Sequence, residues 1–195
     1  MHIRLLRILV AVTLLIFNFQ SLTKANDIRD LKIEGISIGD SALDHFDKSK
    51  IKSGIKIYGK DKSIYKVEID KSTKEFDGIG FYFKKNDTKY IIKGLSAAVF
   101  TNNFKECKRR MKKLENDLSS VLNNAQKDSM NYKHPIDNKS LVYQTLYSSK
   151  GLNGSVSISC YDWDKDIEVN KNWSDHLAVE LYDTDTEYWI THLAH

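Results

Sequence analysis

Six of the 195 residues carry an imidazole, two carry a thiol, and one serine follows a Gly-Asp pair. That serine is Ser41, in the run Ile36-Ser37-Ile38-Gly39-Asp40-Ser41. A strand entering a Gly-Asp turn that presents a serine at the start of a helix suits nucleophilic attack. It works only when a histidine base and an orienting carboxylate are supplied from elsewhere in the chain. Asp162, Asp164 and Asp166 match positions 1, 3 and 5 of a calcium loop, but Ile167 and Trp173 stand where the loop needs Gly and Glu. A solvated polar turn prolonging a strand is the plainer reading, and Asp183-Thr184-Asp185-Thr186-Glu187 reads the same way. His45, His134, His176, His192 and His195 nowhere repeat at the His-x-x-x-His spacing of a zinc helix, and no cofactor motif is present.

The N-terminal residues define a compartment before they define a fold. Arg4 and Arg7 precede the apolar run 8–17, and small residues at Thr23 and Ala25 close the segment. This is the order of a secretory signal peptide cleaved after Ala25, and the run is shorter than the roughly 20 residues of a membrane span. The expected product is an exported protein of residues 26–195 with no transmembrane anchor, periplasmic or secreted. Without Arg4, Arg7 and Lys24 the formal charge of +4 falls to +1, so the basic balance is a targeting feature and gives no support to nucleic acid as a partner. The remaining charge is unevenly placed. Residues 26–134 hold 23 basic and 16 acidic side chains, whereas 135–195 hold 4 and 10. The plain expectation is that the two halves attract each other within one domain.

Residues 63–70, 78–85 and 89–100 read as strands, with a hairpin turn at 85–88. Further strands are expected at 141–148, 155–163 and 177–182, with a short helix or strand at 187–194. The alternating run 31–40 leads into a short capped helix at 40–46, where Asp40 or Ser41 supplies the cap acceptor. Phe104, Cys107, Met111, Leu114, Leu118 and Val121 form one apolar stripe, so 103–124 is a long amphipathic helix. Residues 125–140 are polar, contain the single proline, and read as a loop. The predicted class is α+β: one domain at 26–195, mainly an antiparallel sheet covered by that helix.

Cys107 lies in the apolar stripe, and Cys160 shares a strand face with Val156 and Ile158, so both thiols point into the core. In an oxidising compartment such a pair forms a structural disulfide. The outer face of the helix carries Lys105, Lys108, Arg109 and Lys112, a candidate surface for an acidic envelope component or protein. The aromatic-rich acidic end (Tyr161, Trp163, Trp173, Tyr182, Tyr188, Trp189) reads either as a binding surface or as core with amphipathic edges.

Three resemblances follow from these residues. The block around Ser41 resembles the nucleophile block of SGNH/GDSL hydrolases, which implies Ser41 as nucleophile. Gly151-Leu152-Asn153-Gly154 lacks the final Asp of that family's second block, and adjacent Asp175-His176 replaces its Asp-x-x-His. The run 33–46 with Cys107 and Cys160-Tyr161-Asp162-Trp163 resembles a family of small exported bacterial proteins of uncharacterised function. A looser likeness of pattern is to SmpA/OmlA-like envelope modules, through Gly35-Ile36-Ser37. With no base for Ser41, the expected role is a non-catalytic binding or accessory module of the envelope. The serine hydrolase and a calcium-dependent module are its alternatives.

Overall fold

Apolar residues at every second position build most of this molecule, because side chains alternate across a strand and one row must be buried. The computed structural model describes residues 25–57, 61–69, 73, 75–101, 103–122 and 124–193. The leader reading falls on residues 1–25, of which all but Ala25 lie outside them. In chain order the elements are α1 (Lys48–Ser53), β1 (Ile55–Lys56), β2 (Ile64–Ile69), β3 (Gly78–Lys84), β4 (Gly94–Phe100), α2 (Phe104–Val121), β5 (Gln126–Lys133), β6 (Leu141–Ser149), β7 (Gly154–Asp162), α3 (Lys165–Lys171), β8 (His176–Asp183) and α4 (Thr184–His192). Among the described residues, eight strands form one antiparallel sheet in the order β1-β2-β3-β4-β8-β7-β6-β5. The last strand thus sits between β4 and β7 and joins two half-sheets made earlier in the chain.

One face of the sheet is apolar: Val67, Ile79, Phe81, Leu95, Leu181, Val156 and Ile158 all lie in the main core. α2 lays Cys107, Met111, Leu114 and Leu118 against it, and Cys107 is bonded to Cys160 of β7. The helix shares this cover, however. Ile28, Leu31, Ile36, Ile38, Ala42, Phe46 and Ile51, from the segment before the sheet, enter the same core. The expectation of one helix as the cover is therefore too simple, although the α+β class holds.

Four local expectations are corrected. Residues 126–133 are strand β5, not loop; all eight side chains are exposed at the sheet edge, so no buried row marks them as strand. The run 31–40 is not a continuous strand. Ile33 and Ile36 pair across a two-residue turn in which Glu34 and Gly35 have φ of 52° and 80°, the positive pair that a tight primed turn requires. β4 begins at Gly94 rather than 89, because 85–93 folds back as a loop in which Asp87 accepts from the Lys89 and Ile91 amides. After β7 the chain enters helix α3 instead of prolonging the strand. Ser41 caps the turn at 42–44 as expected.

Candidate functional site

Ser41 Oγ donates to Lys89 O at 2.8 Å and accepts from the Leu43 amide at 3.2 Å. A carboxylate–imidazole pair stands nearby: His45 Nε2 is 3.2 Å from Asp40 Oδ2, which also accepts from the Ser37 amide. The serine hydroxyl gives its proton to a backbone carbonyl and not to that ring, so its observed role is to tie 41–46 to the 85–93 loop. A cleft of about 750 Å3 adjoins His45, but Asp44, Asp47, Lys50 and Lys56 make it a polar, open groove.

The acidic run is placed equally structurally. Asp164 caps α3 and accepts from the Asp166 amide, while Lys139 Nζ reaches Asp166 at 3.0 Å and Asp164 at 3.9 Å. Asp162 ends β7. Among the described residues, no group of three or more His, Cys, Asp or Glu side chains is arranged to hold a metal ion.

The basic face of α2 is largely engaged by its own neighbours. Arg109 makes a two-pronged bond to Glu106, which also takes Arg110, and the three donors hold the Glu106 carboxyl well below its usual range. Lys108 Nζ lies 4.5 Å above the Tyr143 ring. Lys112 and Lys127 converge on Glu115, at 3.2 Å and 3.1 Å. Burial raises the Glu115 carboxyl, and the donors Thr145, Lys127 and Lys112 outweigh it, leaving the group below its ordinary value. Lys105 stands exposed beside them.

The other face of the sheet carries the more unusual arrangement. Register places the side chains in rows across the strands. Tyr82, Gly94, Tyr182 and Ser155 form the first; Gly80, Ser96, Glu180 and Ser157 the second; Gly78, Ala98, Ala178 and Ser159 the third; Phe100, His176 and Tyr161 the fourth. Two rows of small residues around one carboxylate thus run between two aromatic rows. α4 caps the first row: Trp189 packs with Ile64, Tyr82 and Tyr182 in a second apolar cluster. A Cβ on Gly94 would stand 2.9 Å from Tyr182, 3.0 Å from Tyr82 and 3.1 Å from Thr186, so glycine is what lets α4 sit this close. At the far end Tyr161 stacks on His176 with centroids 4.5 Å apart, and Trp163 packs on His134 and Trp173 at 4.8 Å and 4.7 Å.

Glu180 is the polar centre. Its Oε1 accepts from the Tyr182 hydroxyl at 2.7 Å and its Oε2 from Ser157 Oγ at 2.9 Å, and it is half-buried. Among the described residues none of the ion pairs includes it. Burial, with the Glu180 charge added, pushes the Tyr161 and Tyr182 hydroxyls well above the usual phenol range and raises Tyr132 as well. Burial lowers His176, which Ser174 O and Glu180 only partly oppose. The Nδ1 of His176 lies 2.8 Å from Ser174 O, so the neutral ring holds its proton there and leaves Nε2 as an acceptor. Chemically, the face offers hydrogen-bond acceptors, negative charge and ring surfaces.

Four buried side-chain atoms among the described residues lack a hydrogen-bond partner: Ser159 Oγ, Trp163 Nε1, Thr186 Oγ1 and Trp189 Nε1. All four belong to this face or to the elements at its two ends. Ser159 stands close enough to the Tyr161 hydroxyl to lower that group slightly, yet makes no well-formed bond to it. Comparison with protein-family models, with curated proteins and with solved structures gives no match.

Sequence reasoning named Tyr161, Trp163, Tyr182 and Trp189 and weighed His176 only as a metal ligand or catalytic base, but passed over Glu180 and the serines. The signal was there to use. Ser155, Ser157 and Ser159 alternate with Val156, Ile158 and Cys160, and Glu180 is the lone charge in the apolar run 177–182.

Proposed function

We propose that this chain is an exported, non-catalytic binding module of the cell envelope, and that it recognises its ligand with the face centred on Glu180. The observation that carries the reading is that the four orphaned buried polar atoms among the described residues lie on that face (Ser159) or in the elements at its two ends (Trp163, Thr186, Trp189). Buried polar groups are otherwise paired almost without exception, and an unpaired set in one place is a mark of polar recognition. Ser41 and the Asp162–Asp164–Asp166 run have structural duties, which favours binding over hydrolysis or calcium dependence. The basic face of α2 is a second reading for an acidic envelope partner. It has less in its favour, since Arg109, Lys112 and Lys108 already have partners.

Export is supported by the order of residues 1–25 and by one local feature. The Asn26 amide nitrogen lies 3.0 Å from Asp30 Oδ2, so the α-ammonium created by cleavage after Ala25 would meet a carboxylate. The mass of the protein from the exported fraction should be that of residues 26–195 less two hydrogens. Retention of the leader would overturn export. For the binding face, soluble envelope extract added to isotope-labelled protein should shift amide resonances of residues 96–98, 157–161 and 176–182. Shifts confined to 105–112, or none, would overturn the assignment.

A further inference from the structure

We infer that the Glu180 face binds a small organic cation, an amine or quaternary ammonium, with its charged group against the Glu180 carboxylate and its carbon substituents against the surrounding rings. This rests on the reading of that face as the recognition surface and adds the class of ligand.

Among the described residues no ion pair includes Glu180, and a half-buried carboxylate with an unmatched charge is a costly feature that a cation from outside would relieve. The two hydrogen bonds to Glu180 come from neutral hydroxyls, so its charge is solvated by Tyr182 and Ser157 but not neutralised. Lys66, a cation on this face, pairs with Glu68 at 2.8 Å, and Lys84 on the same strand face pairs with Asp185 at 3.1 Å. Tyr161 and Tyr182, in the rows to either side of Glu180, both sense its charge, so rings flank the carboxylate on two sides. Rings around a carboxylate favour an alkylated ammonium, because ring faces attract positive charge and methyl groups tolerate the apolar walls. An anion is repelled, and a neutral ligand leaves the charge unmatched. Between the two rows of large side chains the floor is of small ones: Ser96 and Ala98 are half-buried and stay partly open, whereas Ala178 and Ser159 are buried. Between Tyr182 and His176 the strand advances about 20 Å, which sets the span between the two aromatic rows.

The test is titration of the exported form, residues 26–195, with tetramethylammonium chloride and, in parallel, with uncharged tert-butanol of the same shape. Amide shifts at 176–182 and tryptophan fluorescence report binding. Tetramethylammonium should saturate, tert-butanol should not, and added sodium chloride should weaken the complex. In Glu180→Gln the affinity should fall roughly tenfold or more, with the thermal midpoint retained. If that variant does not fold, the difference between cation and isostere in the wild type decides alone. Equal response to the two probes, or no response to the cation, overturns the inference. So does binding of a lysine-rich peptide more than about a hundredfold tighter than the small cation, which would make the partner a protein. If envelope extract shifts this face while the cation does not, the recognition surface stands and only the ligand class falls.

Discussion

Ser41 uses its hydroxyl twice, as donor to Lys89 O and as acceptor for the Leu43 amide, and both partners are backbone. A residue so placed is a staple between two loops. Ser41→Ala should lower stability by about 1 kcal/mol, the usual worth of a lost cap, as read by denaturant unfolding. The folded wild type should give no labelling with a serine-reactive fluorophosphonate. Labelling that disappears in the alanine variant would restore the hydrolase reading. His176 behaves differently because it titrates. Burial holds its pKa below the unfolded 6.5, so as pH falls the unfolded chain takes up the proton first. The contribution of the neutral ring is therefore complete above pH 6.5 and is lost as pH drops from there through the folded value. His176→Phe keeps a ring against Tyr161 but cannot be protonated, so it should gain on the wild type as pH falls below 6.5. A stability difference that stays constant with pH would defeat this account.

α2 and β7 are joined by the one covalent link outside the backbone, between residues 53 apart in sequence. Closing a loop of that length removes conformations from the unfolded chain worth about 4 kcal/mol. For a domain of this size that is a midpoint shift of roughly 8–16 °C. The Cys107→Ala, Cys160→Ala double variant should melt lower by this margin in a thermal scan, and added reductant should bring the wild type down to meet it. A loss of only a degree or two would mean that the apolar stripe of α2 suffices by itself. That stripe is also why the helix was legible: its period is carried by buried residues. β2, β3, β6, β7 and β8 were legible for the same reason, with a period of two. β5 was not, because an edge strand with eight exposed side chains has no buried row to betray it. α1 was missed because its six residues bury only Ile51. The candidate face was half legible. Aromatic residues announce themselves by type, whereas Glu180 matters through its place at the centre of a register that only strand order reveals.

At the scale of the whole molecule, the uneven charge of the two halves is not chiefly a clasp between them. Most ion pairs are local, such as Arg29 with Asp27, Arg109 with Glu106 and Lys165 with Glu168. Among the described residues, only Lys84–Asp185 and Lys93–Asp183 join the basic half to the acidic one, and both pin the start of α4. Pairs this near the surface contribute little, and salt screens them. Raising sodium chloride from about 50 mM to about 500 mM should change unfolding free energy by less than about 1 kcal/mol. A loss of several kcal/mol would show that long-range attraction between the halves does hold the fold. The placement of β8 has a consequence in time. A chain that emerges N-terminus first, from a ribosome or through a membrane channel, presents β1–β4 and then β5–β7 as two sheets with facing unpaired edges. Neither can find its neighbour until residues 176–183 arrive to bridge them. The molecule is thereby kept from closing until that strand has been delivered, and a chain that stops short of it is left with two adhesive borders and no native way to cover them.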